Sequence, residues 1–257
     1  MIKKQIPNLF TLLNLFSGVI AVIMAATDKL VEAAFFVFLG IFFDFFDGFF
    51  ARKFNITGEF GKQLDSLADM VTSGVVPGII MFQLILFSAK ESYFMELSCE
   101  IGNWYSFDES KFYLAPLIGL IIPLASAYRL AKFNLDERQT SSFIGLPTPA
   151  LAIFVVSLPL IIEYSDYDIL RAFLQNTYVL ISIPIVGSYL LNAEIPLFSL
   201  KFKNYQFTDN KVRYAFLILS ILLFVILNIV AIPLVIILYI FISMIDNIRT
   251  KKSILNK

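Results

Sequence analysis

Apolar runs of roughly 17 to 22 residues recur along the whole chain, broken by short polar stretches, and each can carry a helix across a hydrocarbon core of ~30 Å. The pattern predicts helices near 8–26, 31–52, 64–88, 112–130, 146–163, 172–192, 213–230 and 232–247. The last two are short and meet at Ala231-Ile232-Pro233, so a shallow hairpin is the alternative to two full crossings. Backbone groups in lipid must be satisfied within their own segment. The expected fold is therefore all-α, a polytopic transmembrane bundle of about eight helices, forming a single membrane domain over residues 1–257.

Composition strengthens this reading. Of 257 residues, 58% are hydrophobic and 28 are Phe, with a mean hydropathy of +0.80, more apolar surface than a soluble core can bury. Lys and Arg collect in short loops on the cytoplasmic side of membranes. With the N-terminus inside, all of the 20 basic residues except Lys29, Lys90, Lys111 and Arg171 fall on that side. Lys3 and Lys4 before the first apolar run resemble the start of a leader, but the run is read as a retained helix. Loop 89–111, with Trp104, is expected outside as an interfacial connector, and loop 194–211, with Lys201 and Lys203, inside beside anionic lipid.

Net charge is zero, so no global field points to a nucleic-acid partner. Cys99 is the single cysteine and histidine is absent. Internal disulfides, cysteine-clustered metal, histidine-bound zinc and a Ser-His-Asp triad are thereby excluded. Carboxylates remain for acid–base work.

The stretch DFFDGFFARKFNITGEFGKQLDSLAD, residues 44–69, places four carboxylates at the ends of two apolar runs. At 100° per residue, Asp44, Asp47, Gly48 and Ala51 share one helix face, and Gly61, Asp65 and Asp69 form an i, i+4, i+8 stripe on the next. An antiparallel turn brings the two faces together. An ionised Asp at the centre of a membrane helix costs ~2.5–3.5 kcal/mol, so four approach ~10 kcal/mol, comparable with a whole domain's stability of ~5–15 kcal/mol. A divalent cation offsets that cost; oxygen ligands favour Mg²⁺ or Mn²⁺, with Ca²⁺ also compatible. Gly48 and Gly61 allow close approach, and Arg52 adds a fixed cation suited to phosphate. An ion transporter with an acidic pathway explains the acids but gives Gly48, Ala51 and Arg52 no role.

The motif Asp44-x-x-Asp47-Gly48-x-x-Ala51-Arg52, eight residues, then Gly61-x-x-x-Asp65-x-x-x-Asp69 resembles the signature of the CDP-alcohol phosphatidyltransferases. The resemblance implies a six-helix core followed by a C-terminal helix pair. It further implies transfer of a phosphatidyl group from a CDP-linked lipid, such as CDP-diacylglycerol, to an alcohol. Carried over by position, Asp44, Asp47 and Asp65 resemble metal ligands, and Asp69 a ligand to a second metal, the general base, or both. Asp47, Gly48, Ala51, Arg52, Gly61, Asn8 and Thr11 surround the cytidine diphosphate. A homodimer in a prokaryotic cytoplasmic membrane, with site and termini facing the cytoplasm, is implied as well; Gly18 offers a small surface between copies.

Two stretches bear on the acceptor. IPNLFTLLNLFSG resembles the opening of the branch that uses L-serine, and relatives that use glycerophosphate usually carry Arg where Asn14 stands. YRLAKFNLDERQTSSFIGLPTPA, residues 128–150, resembles that same branch. It offers Arg129 and Lys132 to a serine carboxylate or a lipid phosphate, and Phe143 to Pro149 as a rigid lead-in to the fifth helix. Inositol phosphate or glycerol 3-phosphate as acceptor, or an archaeal-type lipid donor, stay open. The resemblance covers residues 5–150 and leaves the last two helices without a role.

Overall fold

The computed structural model describes residues 5–55, 58–91, 98–99, 112–136, 143–198, 206 and 210–255. Lys3, Lys4, Trp104, Lys111, Arg138, Lys201 and Lys203, with most of loops 89–111 and 194–211, lie outside the described residues. The chain runs α1 (Ile6–Ala26), α2 (Leu30–Lys53), α3 (Glu59–Asp69), α4 (Val76–Glu91), α5 (Ile121–Leu135), α6 (Thr148–Tyr164), α7 (Asp168–Leu174), α8 (Thr177–Asn192), α9 (Lys211–Leu227) and α10 (Ala231–Leu255). A π-helical turn, Met70–Val75, joins α3 to α4, and a 3₁₀ turn, Ala115–Leu120, leads into α5. Counting α3–α4 as one run and α7–α8 as one bent run gives the eight helical runs expected.

Four local features differ from the expectation, and for two of them the structure shows the physical cause. The third run begins at Glu59 and is interrupted by the π turn just ahead of Pro77. Pro77 removes the N–H that would bond the Ser73 carbonyl and crowds that carbonyl, and a wider turn relieves both. The fourth run extends to Leu135. The sixth breaks between Leu174 and Thr177 with a bend of 66°, because Asn176 caps α8, its Oδ1 accepting from Tyr178 N at 3.0 Å and Val179 N at 3.4 Å.

The last two runs form an antiparallel hairpin. The rings of Phe216 and Tyr239 are 5.8 Å apart, whereas a straight helix would separate them by ~34 Å. Asn228, with φ of 48°, makes the reversal.

Five stretches among the described residues are long and apolar enough to cross a membrane: Ile6–Ala26, Leu30–Lys53, Glu59–Ala89, Ala115–Leu135 and Lys211–Asn247, the last folded back at Asn228. The bent α7–α8 pair adds a sixth when taken as one span. The chain is an integral membrane helical bundle.

α6 is buried on nearly all sides, through Leu151, Ala152, Val155, Val156, Leu158 and Ile161, and forms the centre. α1 packs on α2 and the π turn through a stripe of Pro7, Thr11, Asn14, Gly18, Ala21 and Ala25. Gly18 was expected at a surface between copies. It is instead buried within the chain, where a Cβ would lie 3.2 Å from Thr72 Cα.

One end of the bundle collects several chain segments. Lys62 Nζ donates to the Asn134 carbonyl at 2.6 Å, Lys132 lies 3.6 Å from Glu194, and Asn247 donates to the Pro196 carbonyl. There Phe143–Ile144 pairs antiparallel with Pro196–Leu197. Gly145 follows with φ of 77°, donating to the Ile195 carbonyl at 3.0 Å. A side chain at Gly145 would strike the Leu191 carbonyl, so glycine is needed for both conformation and space.

Candidate metal and phosphate site

The carboxylates lie near that same end. Asp47 is six residues from Lys53, the last residue of α2, or ~9 Å along the helix. Asp44 and Asp47 from α2 and Asp65 from α3 each offer an oxygen such that all three lie within 4.8 Å of one another. Asp44 and Asp65 are within hydrogen-bonding reach of each other, and Asp65 Oδ1 is buried without a protein partner. Carboxylates gathered this closely need a shared proton or a cation between them. Three hard oxygen donors of this kind suit a divalent metal, so the residues fit one.

Asp69, one turn further along α3, stands outside that three-carboxylate group. Its Oδ1 accepts from Asn14 Nδ2 at 3.3 Å. Thr11 lies one turn before Asn14 on α1 and donates to Asp47 Oδ2 at 2.6 Å. α1 thus touches both halves of the carboxylate set, Thr11 on the α2 side and Asn14 on the α3 side. Both residues are buried, and Asn14 has no exposure at all.

The other residues singled out from the sequence fall around this centre. Gly61 faces Asn8, where a Cβ would sit 3.5 Å from Asn8 Oδ1. Asn8 Nδ2 donates to Gln5 Oε1 at 3.3 Å. Arg52 folds back along α2 so that its Nη1 would be 3.3 Å from a Cβ at Gly48. Ala51, next to it, is half-buried.

Arg129 on α5 is buried, with its guanidinium 5.7 Å from the Phe133 ring centre and its Nε without a hydrogen-bond partner among the described residues. It is near enough to Asp69 to interact through charge. Lys132 does not join it. That ammonium faces Glu194 at the rim instead.

Two features were not anticipated from sequence. One is the link from α3 to α5, in which Asn134 Nδ2 donates to Ser66 Oγ at 2.8 Å beside the Lys62 contact. The other is Thr72 in the π turn, fully buried and donating from Oγ1 to the Asn14 carbonyl at 3.2 Å. Its signal in sequence was faint: one of two adjacent hydroxyl residues, Thr72 and Ser73, three and four residues after Asp69 in a largely apolar run.

Comparison with known proteins bears on the same residues. The chain is 30% identical over 155 residues to the CDP-diacylglycerol–serine O-phosphatidyltransferase of Bacillus subtilis, covering 60% of this chain and 75% of that protein. It is 34% identical over 152 residues to the Helicobacter pylori (strain J99) protein of that name, covering 58% of this chain and 55% of the other. To the archaetidylserine synthase of Methanothermobacter thermautotrophicus it is 30% identical over 164 residues, covering 63% and 60%. The chain thus spans three quarters of the first relative and under two thirds of the other two. A sequence profile described as CDP-alcohol phosphatidyltransferase matches residues 4–189, which take in the four aspartates, Asn8, Thr11, Asn14, Arg52 and Arg129, and the chain belongs to that family.

Proposed function

We propose that this chain transfers the phosphatidyl group of CDP-diacylglycerol to the hydroxyl of L-serine, giving phosphatidylserine and CMP. The observation that carries the reading is the division of labour among the four aspartates. Asp44, Asp47 and Asp65 form one tight group, while Asp69 lies outside it and accepts from Asn14. That arrangement supports a cation site in which Asp69 has the further role of proton acceptor. Asp44, Asp47 and Asp65, together with Asp69, would hold a divalent ion, Mg²⁺ or Mn²⁺ with Ca²⁺ also compatible, which would supply neutralisation of the diphosphate.

The chain's own groups do the rest. Asp69 takes the proton of the attacking hydroxyl on Oδ2, since Oδ1 receives Asn14. Thr11 fixes the rotamer of Asp47. Arg52, with Gly48, Ala51, Gly61 and Asn8, lines the pocket for the cytidine diphosphate. Arg129 presents a buried, permanently charged guanidinium to the serine carboxylate, and Asn14 lines the same side without adding a cation. Lys132 takes part at the rim only when its pair with Glu194 opens.

The proposal places the whole chain in one domain, active as a homodimer in a prokaryotic cytoplasmic membrane, with site and termini on the cytoplasmic side. The distribution of Lys and Arg supports the orientation. The archaeal relative's name favours a second reading with an archaeal-type lipid donor and the same acceptor.

The test is CMP release by the detergent-solubilised full chain with Mg²⁺ or Mn²⁺. CDP-diacylglycerol and its archaeal-type counterpart are offered as donors, and serine, glycerol 3-phosphate and inositol phosphate singly as acceptors. Release that requires both metal and serine is expected. Release with another acceptor overturns the serine assignment. No release with any acceptor, together with ion flux in liposomes lacking cytidine nucleotide, replaces the enzyme with a transporter.

A further inference from the structure

Thr72 stands in the π turn directly after Asp69, and the mechanism above does not use it. Thr72 is fully buried, yet it does not spend its hydroxyl on its own helix, the usual course for a threonine in an apolar helix. It donates across to the Asn14 carbonyl at 3.2 Å. That carbonyl lies on α1, where the helical ladder already supplies a donor. The hydroxyl is therefore a second donor, and the Asn14 carbonyl does not need it to avoid being stranded.

Three other contacts fix where this bond can form. A Cβ at Gly40 would lie 2.7 Å from Thr72 Cγ2 and 2.9 Å from Asn14 Oδ1. A Cβ at Gly18 would lie 3.2 Å from Thr72 Cα. Thr72 is thus clasped between α1 and α2 at positions where only glycine fits. The Asn14 side chain, on the residue whose carbonyl Thr72 holds, donates to Asp69 Oδ1 at 3.3 Å. Asp69, Asn14 and Thr72 close a ring: main chain from Asp69 to Thr72, one hydrogen bond from Thr72 to Asn14, another from Asn14 back to Asp69.

We propose that Thr72 is a positioning residue for Asp69, setting the register of the π turn against α1 so that Asn14 meets one carboxylate oxygen and the other is presented to the acceptor hydroxyl. This rests on the reading of Asp69 as the proton acceptor. Thr72 touches no reacting atom. Its effect is confined to the geometry of a base, and geometry of that kind governs turnover more than substrate affinity.

The experiment compares T72V, which keeps the shape and loses the hydroxyl, with T72S, which keeps the hydroxyl, using the full chain in detergent. T72V should lower kcat for CMP release about 10- to 100-fold, with KM for donor and acceptor within about twofold of the native chain. T72S should restore kcat to within about threefold. Equal losses in the two variants, an unchanged kcat in T72V, or a loss that resides in KM each overturn the proposal. So does a T72V variant that melts well below the native chain, because the hydroxyl then serves the fold. The functional reading fails separately. A native chain that uses an acceptor other than serine loses the serine assignment while the kcat comparison is read with that acceptor. A native chain inactive with every acceptor overturns both.

Discussion

α1 and α9 are both long apolar helices, and sequence pattern alone gives them the same description. Their packing is opposite. α1 buries Pro7, Thr11, Asn14, Ser17, Gly18, Ala21 and Ala25, all small or polar, against α2 and the π turn. α9 buries only Phe216 and Ser220, and its Ile218, Ile221 and Val225 are largely exposed. Lipid tails are as apolar as leucine, so large apolar side chains gain little by leaving lipid for a helix interface. Small residues let backbones approach and polar ones find partners. In α1 a small and polar stripe thus holds other helices, whereas α9 leaves most of its large apolar side chains exposed.

The sharpest way to break the comparison is at the carboxylate that α1 reaches. Asp69→Asn preserves shape and removes the proton acceptor. CMP release should fall about 10²- to 10⁴-fold, the usual contribution of a positioned base, with the protein still recovered from membranes in native amount. Normal turnover in that variant removes Asp69 from the chemistry and leaves α1 with a purely architectural role.

A smaller effect is expected where α2 meets Asn14 of α1 and Thr72 of the π turn. Gly40→Val drives a branched side chain into Thr72 and Asn14. Overpacking of this kind costs about 1–3 kcal/mol, and it should appear as a lower midpoint in thermal unfolding in detergent. Gly58→Ala is the control, since a Cβ there meets nothing within 4 Å. Equal midpoints for the two variants would show that close helix approach at Gly40 is not required.

The contrast between α1 and α9 also explains what was legible in the sequence. Spans over 8–26 and 31–52 were predicted within two residues of α1 and α2, because hydropathy and the charged loops mark their ends. The convergence of Asp44, Asp47 and Asp65 followed from helical periodicity and one antiparallel turn. Asn14 and Thr11 were singled out, but their bonds to Asp69 and Asp47 depend on the rotation of α1 about its axis, which no local pattern encodes. The π turn was hidden for a related reason. Pro77 predicts a disturbance of the helix, but whether a kink, a break or a wider turn answers it depends on what packs outside, here Gly18 and Gly40. The break at Asn176 was the more readable case, since Asn before Thr177 is an ordinary N-cap signal that continuous hydropathy masked.

The least effect, and the finest test of the comparison, lies in the C-terminal hairpin. Tyr239 on α10 donates from its hydroxyl to the Phe198 carbonyl at 2.9 Å and packs its ring 5.0 Å from that of Phe198. It thereby ties the hairpin to the segment that pairs with Phe143–Ile144. Tyr239→Phe keeps the ring and removes the hydroxyl, so it should cost about 0.5–1.5 kcal/mol, the net worth of one hydrogen bond. Ile221→Ala, on the lipid-facing side of α9, should stay within about 0.5 kcal/mol. Both are read as shifts of the unfolding midpoint in detergent. If Ile221→Ala costs as much as Tyr239→Phe, the exposed face of α9 is covered by something in the folded protein, and exposure to lipid is the wrong description of it. If Tyr239→Phe is neutral, the hairpin is held by ring packing alone, and its hold on the Pro196–Phe198 segment does not pass through that hydroxyl.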